Sequence, residues 1–302
     1  MWHRPSLFFL LLYLTSCQPK ANEDPVGSVY YESWVFVGRD SKQAPLIAAL
    51  SIRKLQQSKK KVEIESKLFG SKDAKTRLFF SEKKTKDGNA HEVFSADPIS
   101  LQEVPCGQQK TCLHAEISRE FFLELQSDPL PTLSPHAWHD ARIGTAITTA
   151  TLSVNQVKTP GCLFVERGVS LTKPPEPFFG DFDSFALLDD EGDCRLISEG
   201  SRVGGFALSR EGATSTLVQR QGEKLFLDNN SGQQAPSAWS LRVPQLGWEL
   251  SLAALDGHRG VGDKLPSGKS VFFGQGVVQG SFQSAEKETR QCIGWVQHVR
   301  DE

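Results

Sequence analysis

The chain is short of most of the signatures that would name a chemistry. Its formal net charge is only −2, which argues against a general nucleic-acid binder. No segment after the first sixteen residues reaches the roughly 18 consecutive apolar residues of a membrane-spanning helix. Serines 134, 170 and 184 lie in no Gly-x-Ser-x-Gly elbow, so serine hydrolase chemistry has little support. Gly257-His-Arg-Gly-Val-Gly262 reads as a loop between strands and lacks the strand–helix context of a phosphate-binding loop. No Cys-x-x-Cys pair occurs, and helical periodicity is weak throughout. Arg119 to Leu125 (REFFLEL) is the best helix candidate and reads equally well as a strand.

What is present begins with a leader. His3 and Arg4 precede the apolar run Phe8 to Leu14, which is too short to span a bilayer. Leu14-Thr15-Ser16-Cys17 resembles the lipobox of bacterial lipoproteins. That resemblance implies cleavage after Ser16 (residues 1–16 a signal peptide) and acylation of Cys17, a stable membrane anchor. Gln18 in place of an aspartate implies the outer rather than the inner membrane. Residues 17–28 are polar, carry two prolines and read as a tether. The expected location is therefore the bacterial cell envelope, with the membrane itself as one partner through the anchor.

Six cysteines in an exported chain point to an oxidising compartment. With Cys17 acylated, five remain. Cys106 and Cys112 bracket a short polar loop and are the best disulfide candidates. Cys162, Cys194 and Cys292 cannot all pair within one chain.

Short β-prone runs broken by turn signals dominate the rest. Ile143, Thr145, Ile147 and Thr149 alternate with small residues, as in a sheet with two different faces. Many such runs predict an all-β sandwich or barrel. Four features then recur in the same order. Glu32–Phe36 matches Asp183–Leu187, and Leu113–Leu125 matches Trp239–Leu252. Ile143–Val154 matches Phe273–Phe282, and Cys162–Arg167 matches Cys292–His298. This predicts a duplication, with repeats over 29–172 and 173–302.

The stretch between the repeats carries a family resemblance. Leu163-Phe-Val-Glu-Arg-Gly-Val169, then Gly180-Asp-Phe-Asp-Ser-Phe-Ala-Leu-Leu-Asp-Asp-Glu-Gly192, resembles the domain junction of the AttH-like group that includes the carotenoid hydratases (hydroxyneurosporene synthases). The resemblance implies two lipocalin-like β-barrel repeats in tandem. It also implies hydratase chemistry, which needs an acid and aromatic side chains to stabilise a cation. Where those hydratases have His and Trp, this chain has Arg167 and Val169. A guanidinium stays protonated and is a poor general acid. The degraded motif therefore favours binding of an apolar or amphipathic small molecule, of lipid or isoprenoid type, over catalysis. An enzyme of hydratase or hydrolase type is the alternative, and an envelope scaffold with filled barrels the second.

Candidate ligand-binding residues gather at this junction and in one other cluster. Phe164, Glu166 and Arg167 lie in one strand, so Glu166 and Arg167 face opposite sides, one of them inward and the other solvated. Asp181 and Asp183 are candidate partners for Arg167. His136-Ala-Trp-His-Asp140 is the densest polar–aromatic cluster, with Trp138, His139 and Asp140 as ligand candidates if it forms a turn. No metal and no cofactor is expected. Ser51 to Ala90 holds twelve Lys or Arg against five Asp or Glu. That stretch would either face anionic headgroups or protect sheet edges.

Overall fold

In a computed structural model, the described residues run from 26 to 301, apart from 73–74, 89–98, 107–110, 119–121, 139–140, 171–181, 201–204, 210–211, 228–233, 256–258 and 265–269. The leader and Cys17 lie outside them. Every regular element among the described residues is a β-strand.

The first sheet opens with a four-strand meander of β1 (Val29–Arg39), β2 (Pro45–Ser58), β3 (Lys61–Lys72) and β4 (Lys75–Asp87). It continues through β5 (Ile99–Pro105), β6 (Thr111–Ser118), β7 (Phe122–Ser127) and β8 (Ser134–Trp138). It ends with the long hairpin β9 (Ala141–Val154) and β10 (Val157–Ser170). Asn155 and Gln156, both at positive φ, form the two-residue turn of that hairpin, the backbone geometry that matches the twist of its strands.

The second sheet repeats the plan. Its meander is β11 (Phe182–Asp189), β12 (Cys194–Gly200), β13 (Gly205–Ser209) and β14 (Gly212–Thr216). Then come β15 (Gln219–Leu227), β16 (Gln234–Val243), β17 (Trp248–Ala254) and β18 (Arg259–Lys264). The closing hairpin is β19 (Ser270–Gln283) and β20 (Thr289–Asp301). The first sheet runs in the order 4-3-2-1-10-9-7-6-5, and the second in the order 14-13-12-11-20-19-17-16-15. β8 and β18 occupy the same side position, on β9 and β19. The duplication is therefore complete at the level of strand pairing. The helix candidate resolves as strand from Phe122 onward, and the glycine-rich loop is strand from Arg259.

Each sheet curls around its own core. Trp34, Phe36, Leu68, Leu152, Leu163 and Val165 fill the first. Phe185, Ile197, Trp239, Leu252, Phe282 and Val296 fill the second. A third core lies between the sheets, where Val35, Val37, Phe69 and Phe164 meet Ala186, Leu196, Val277 and Trp295. Phe69 and Trp295 lie 6.2 Å apart across this seam. The central strands are thus covered on both faces. That is why Ser33–Gly38 and all of Phe182–Asp189 are continuously buried instead of alternating.

Two disulfides form. Cys106–Cys112 closes the short loop between β5 and β6, and Cys162–Cys194 joins the two repeats across the seam. Cys292 is free and buried. Pairing explains why Cys162 and Cys292, matched by sequence, differ in fate. Ser33 faces Glu166 across β1 and β10, and Ser184 faces Gln297 across β11 and β20. By that register Cys162 corresponds to Ile293, and Cys292 is offset by one residue. A shift of one residue moves a side chain to the other face. Cys162 accordingly enters the seam, and Cys292 the second core.

The lysine-rich strands form one edge. Residues 81–87 of β4 alternate exposed and half-buried. Lys67, Lys83 and Lys84 pair with Glu65, Glu63 and Glu82 at 2.6–2.8 Å. Such charges blunt an open sheet edge.

Candidate functional site at the seam between the repeats

β1 sends alternate side chains to opposite faces, so Tyr31, Ser33, Val35, Val37 and Arg39 share the face turned toward the second repeat. β10 adds Cys162, Phe164 and Glu166 to that face. The second repeat answers with Ser184, Ala186 and Leu188 from β11 and Ile293, Trp295 and Gln297 from β20. The apolar middle of this seam separates a polar pocket at one end from an open groove at the other.

At the polar end, Gln297 Nε2 donates to Ser33 Oγ at 3.4 Å, and the Ser184 and Ser198 hydroxyls are 3.0 Å apart. Side chains of Ser33, Ser51 and Gln297 hydrogen-bond the Tyr31 hydroxyl. A cavity of about 20 Å³, lined by Ser33, Glu166, Ser184, Gln297 and the apolar residues Phe164 and Trp295, is room for one water. Tyr31 and Glu166 are both half-buried at the residue level. Burial nevertheless pushes the Glu166 carboxyl up to about 7. Burial and the neighbouring Glu166 charge push the Tyr31 phenol up to about 12. A carboxyl so placed is divided between acid and anion at neutral pH and can donate or accept a proton.

Arg167 points the other way, into the first barrel. Its guanidinium lies 5.6 Å over the Trp34 ring and 3.8 Å from Glu32, which also stands 3.9 Å from Lys54. Lys54 is buried, and desolvation lowers its ammonium below the ordinary lysine range, with Arg167 adding to that and Glu32 opposing it. Neither member of the Glu166–Arg167 pair is simply solvated, as the alternation alone suggested. Both faces of β10 are covered, one by the barrel core and one by the second repeat.

Asp183 is not the partner of Arg167 either. It is fully buried inside the second barrel, where Arg220 bridges it to Glu199. His298 is its direct cross-strand neighbour and lies 6.4 Å from the Trp239 ring. A side chain at Gly274 would collide with that imidazole, so glycine is required there. Glu32 and Asp183 occupy equivalent positions of β1 and β11, and each answers to the cations of its own barrel. This arises because odd and even residues of each first strand point to different cores.

At the far end of the seam, a groove of about 820 Å³ opens along the outer face of the second sheet. Ser240, Ser251, Ser281 and Gln291 form one row across its four strands by direct pairing. Arg39, reaching over from the first repeat, and Lys224 complete the lining, and the lining residues include no carboxylate.

Among the sequence candidates, Phe164 and Glu166 line the seam pocket, whereas Arg167 and Asp183 sit in separate barrels. Trp138 ends β8, and His139, Asp140 and Asp181 lie outside the described residues. Tyr31, Ser33, Ser184, Gln297 and Arg39 were not anticipated. The available signal was a serine at the same place in two apolar runs, Ser33-Trp-Val-Phe-Val and Ser184-Phe-Ala-Leu-Leu. No group of three His, Cys, Asp or Glu among the described residues is arranged to hold a metal ion.

This constellation of two open β-barrels sharing a seam is a known architecture. The fold is similar to that of a protein from Nitrosomonas europaea assigned as an AttH, with a TM-score of 0.61 at 12% identity over 93% of this chain and 97% of that one. It is also similar to kievitone hydratase from Nectria haematococca, with a TM-score of 0.55 at 9% identity over 93% and 91%. The AttH-like resemblance of the junction therefore holds at the level of fold. No family model and no curated relative matches the chain by sequence.

Proposed function

We propose that the chain is a lipid-anchored protein of a bacterial envelope, of the outer membrane, that binds an amphipathic small molecule where the two repeats meet. The Leu14–Cys17 lipobox and the use of disulfides support the location. One observation carries the binding. The groove of about 820 Å³ beside Arg39 has the size of a small-molecule site. The two barrel cores are filled by their own side chains, and the seam cavity admits a single water. Native mass spectrometry with organic extraction of gently purified protein should recover a ligand, and a fatty-acid or fluorescent apolar probe should compete with it. A Ser240→Trp variant, filling the groove from its exposed floor, should weaken that binding at least about tenfold. Recovery of no ligand, with no probe bound, sinks the reading.

A second reading rests on Glu166. A carboxyl near neutrality beside a water-sized cavity and the Phe164 and Trp295 rings is the kind of acid that hydration of a double bond requires, and one fold neighbour is named a hydratase. It predicts turnover of a lipophilic alkene that disappears in Glu166→Gln while the thermal midpoint stays high.

A further inference from the structure

We infer that the groove selects an anionic head group, a carboxylate or phosphate monoester, and that Arg39 is its anchor. The inference rests on the groove being the binding site.

Arg39 ends β1 on its seam face, two residues beyond the buried Val37, so the last turn of that strand delivers a cation to the groove. Its side chain is half-buried, and no carboxylate of the described residues pairs with it. The nearby acid Asp189 is already engaged by Arg195 and Arg290, and by the backbone amides of Glu191 and Asp193. The position equivalent to Arg39 in the second repeat is Asp190, which is exposed at its turn. The cation is therefore a property of the seam and not of the repeated fold. Around it the groove offers the exposed Lys224 at its rim and neutral groups: the Ser240, Ser251 and Ser281 hydroxyls and the Gln279 and Gln291 amides. A guanidinium fork accepts two oxygens of a carboxylate or phosphate, and hydroxyl and amide donors can satisfy the remaining lone pairs. Ala238, Ala253 and Ile293, on the same face as the serine row, contribute apolar surface along the groove for a tail.

Calorimetric titration of the mature chain with dodecyl phosphate, dodecanoate, dodecyltrimethylammonium and inorganic phosphate, all below micelle formation, tests this. Both anionic amphiphiles should bind about tenfold or more tightly than the cationic one, the worth of one charge-assisted contact. Arg39→Gln should erase that preference and leave the cationic amphiphile within about twofold, whereas Arg39→Lys should restore part of it. Equal binding of anionic and cationic amphiphiles, or a preference that survives Arg39→Gln, overturns the anchor and leaves the groove standing. Binding of none of them overturns the groove and the anchor together. Inorganic phosphate binding as tightly as dodecyl phosphate, and lost in Arg39→Gln, upholds the anchor but removes the tail from the proposed function.

Discussion

The two repeats are built to one plan and filled with different chemistry. Strand order and pairing coincide throughout, yet the charged cluster inside each barrel and the residues facing the seam diverge position by position. In the first barrel Glu32 stands 3.8–3.9 Å from Arg167 and Lys54, loosely arranged and partly accessible. In the second, Asp183 is sealed beneath Arg220 and His298. Across the seam, Glu166 of one repeat is Gln297 of the other, so only one side can titrate. The lesson is that the pairing scaffold tolerates substitution where the side chain faces a core, and that asymmetry collects where the repeats touch.

The sharpest way to break the symmetry is at the equivalent carboxylates. Asp183→Asn should cost about 3 kcal/mol in chemical denaturation, because it leaves the Arg220 charge under-compensated in a buried site. Glu32→Gln, in the looser cluster, should cost only about 1 kcal/mol. Equal costs would mean that the two barrels are energetically alike despite their different packing.

The disulfides offer the next contrast. Removing Cys162–Cys194 with a pair of serines releases a constraint over 32 residues, against 6 for Cys106–Cys112. Chain entropy gives about 4 and about 2 kcal/mol respectively. Because the longer bridge joins the repeats, its removal should also split a single unfolding transition in urea into two. A single transition at the wild-type midpoint would show that the seam core alone holds the repeats together.

The smallest effect separates Glu166 from Gln297. Burial raises the folded carboxyl to about 7, above the ordinary value near 4.3 of an unfolded chain. The stabilisation from its proton is complete below the unfolded value and is lost as pH rises through about 7. The thermal midpoint should therefore fall by about 2–4 °C between about pH 5 and pH 8, beyond any fall seen in Glu166→Gln. A matching slope in that variant would assign the pH dependence elsewhere.

Much of this architecture was legible in the sequence because it is written in periods. Alternation gave the strands, and recurrence of Glu32-Ser-Trp-Val-Phe as Asp183-Ser-Phe-Ala-Leu gave the duplication. Adjacency placed Glu166 and Arg167 on opposite faces. What alternation cannot say is which face meets which core, and so Asp183 reads from sequence as a candidate partner of Arg167, whereas Glu32 is the carboxylate beside it. The cysteines misled for a related reason. Two residues separate β9 from β10 and five separate β19 from β20, so alignment by cysteine slipped the register by one. The groove lay beyond reach altogether, since Arg39 and Gln291 meet only when two repeats dock.

The pairing of each first strand with its last has a consequence in time. β1 holds its register with β10, so Ser33 finds Glu166 only after the whole of the first repeat has left the ribosome, and β11 waits in the same way for β20. Such distant closures are slow, because the ends of a long loop must meet before any contact rewards them. Until then the seam faces of both repeats stand bare. A chain that crosses a membrane before folding would arrive with its two ends still unjoined, and an escort that shields those faces during passage would govern how much native protein is made.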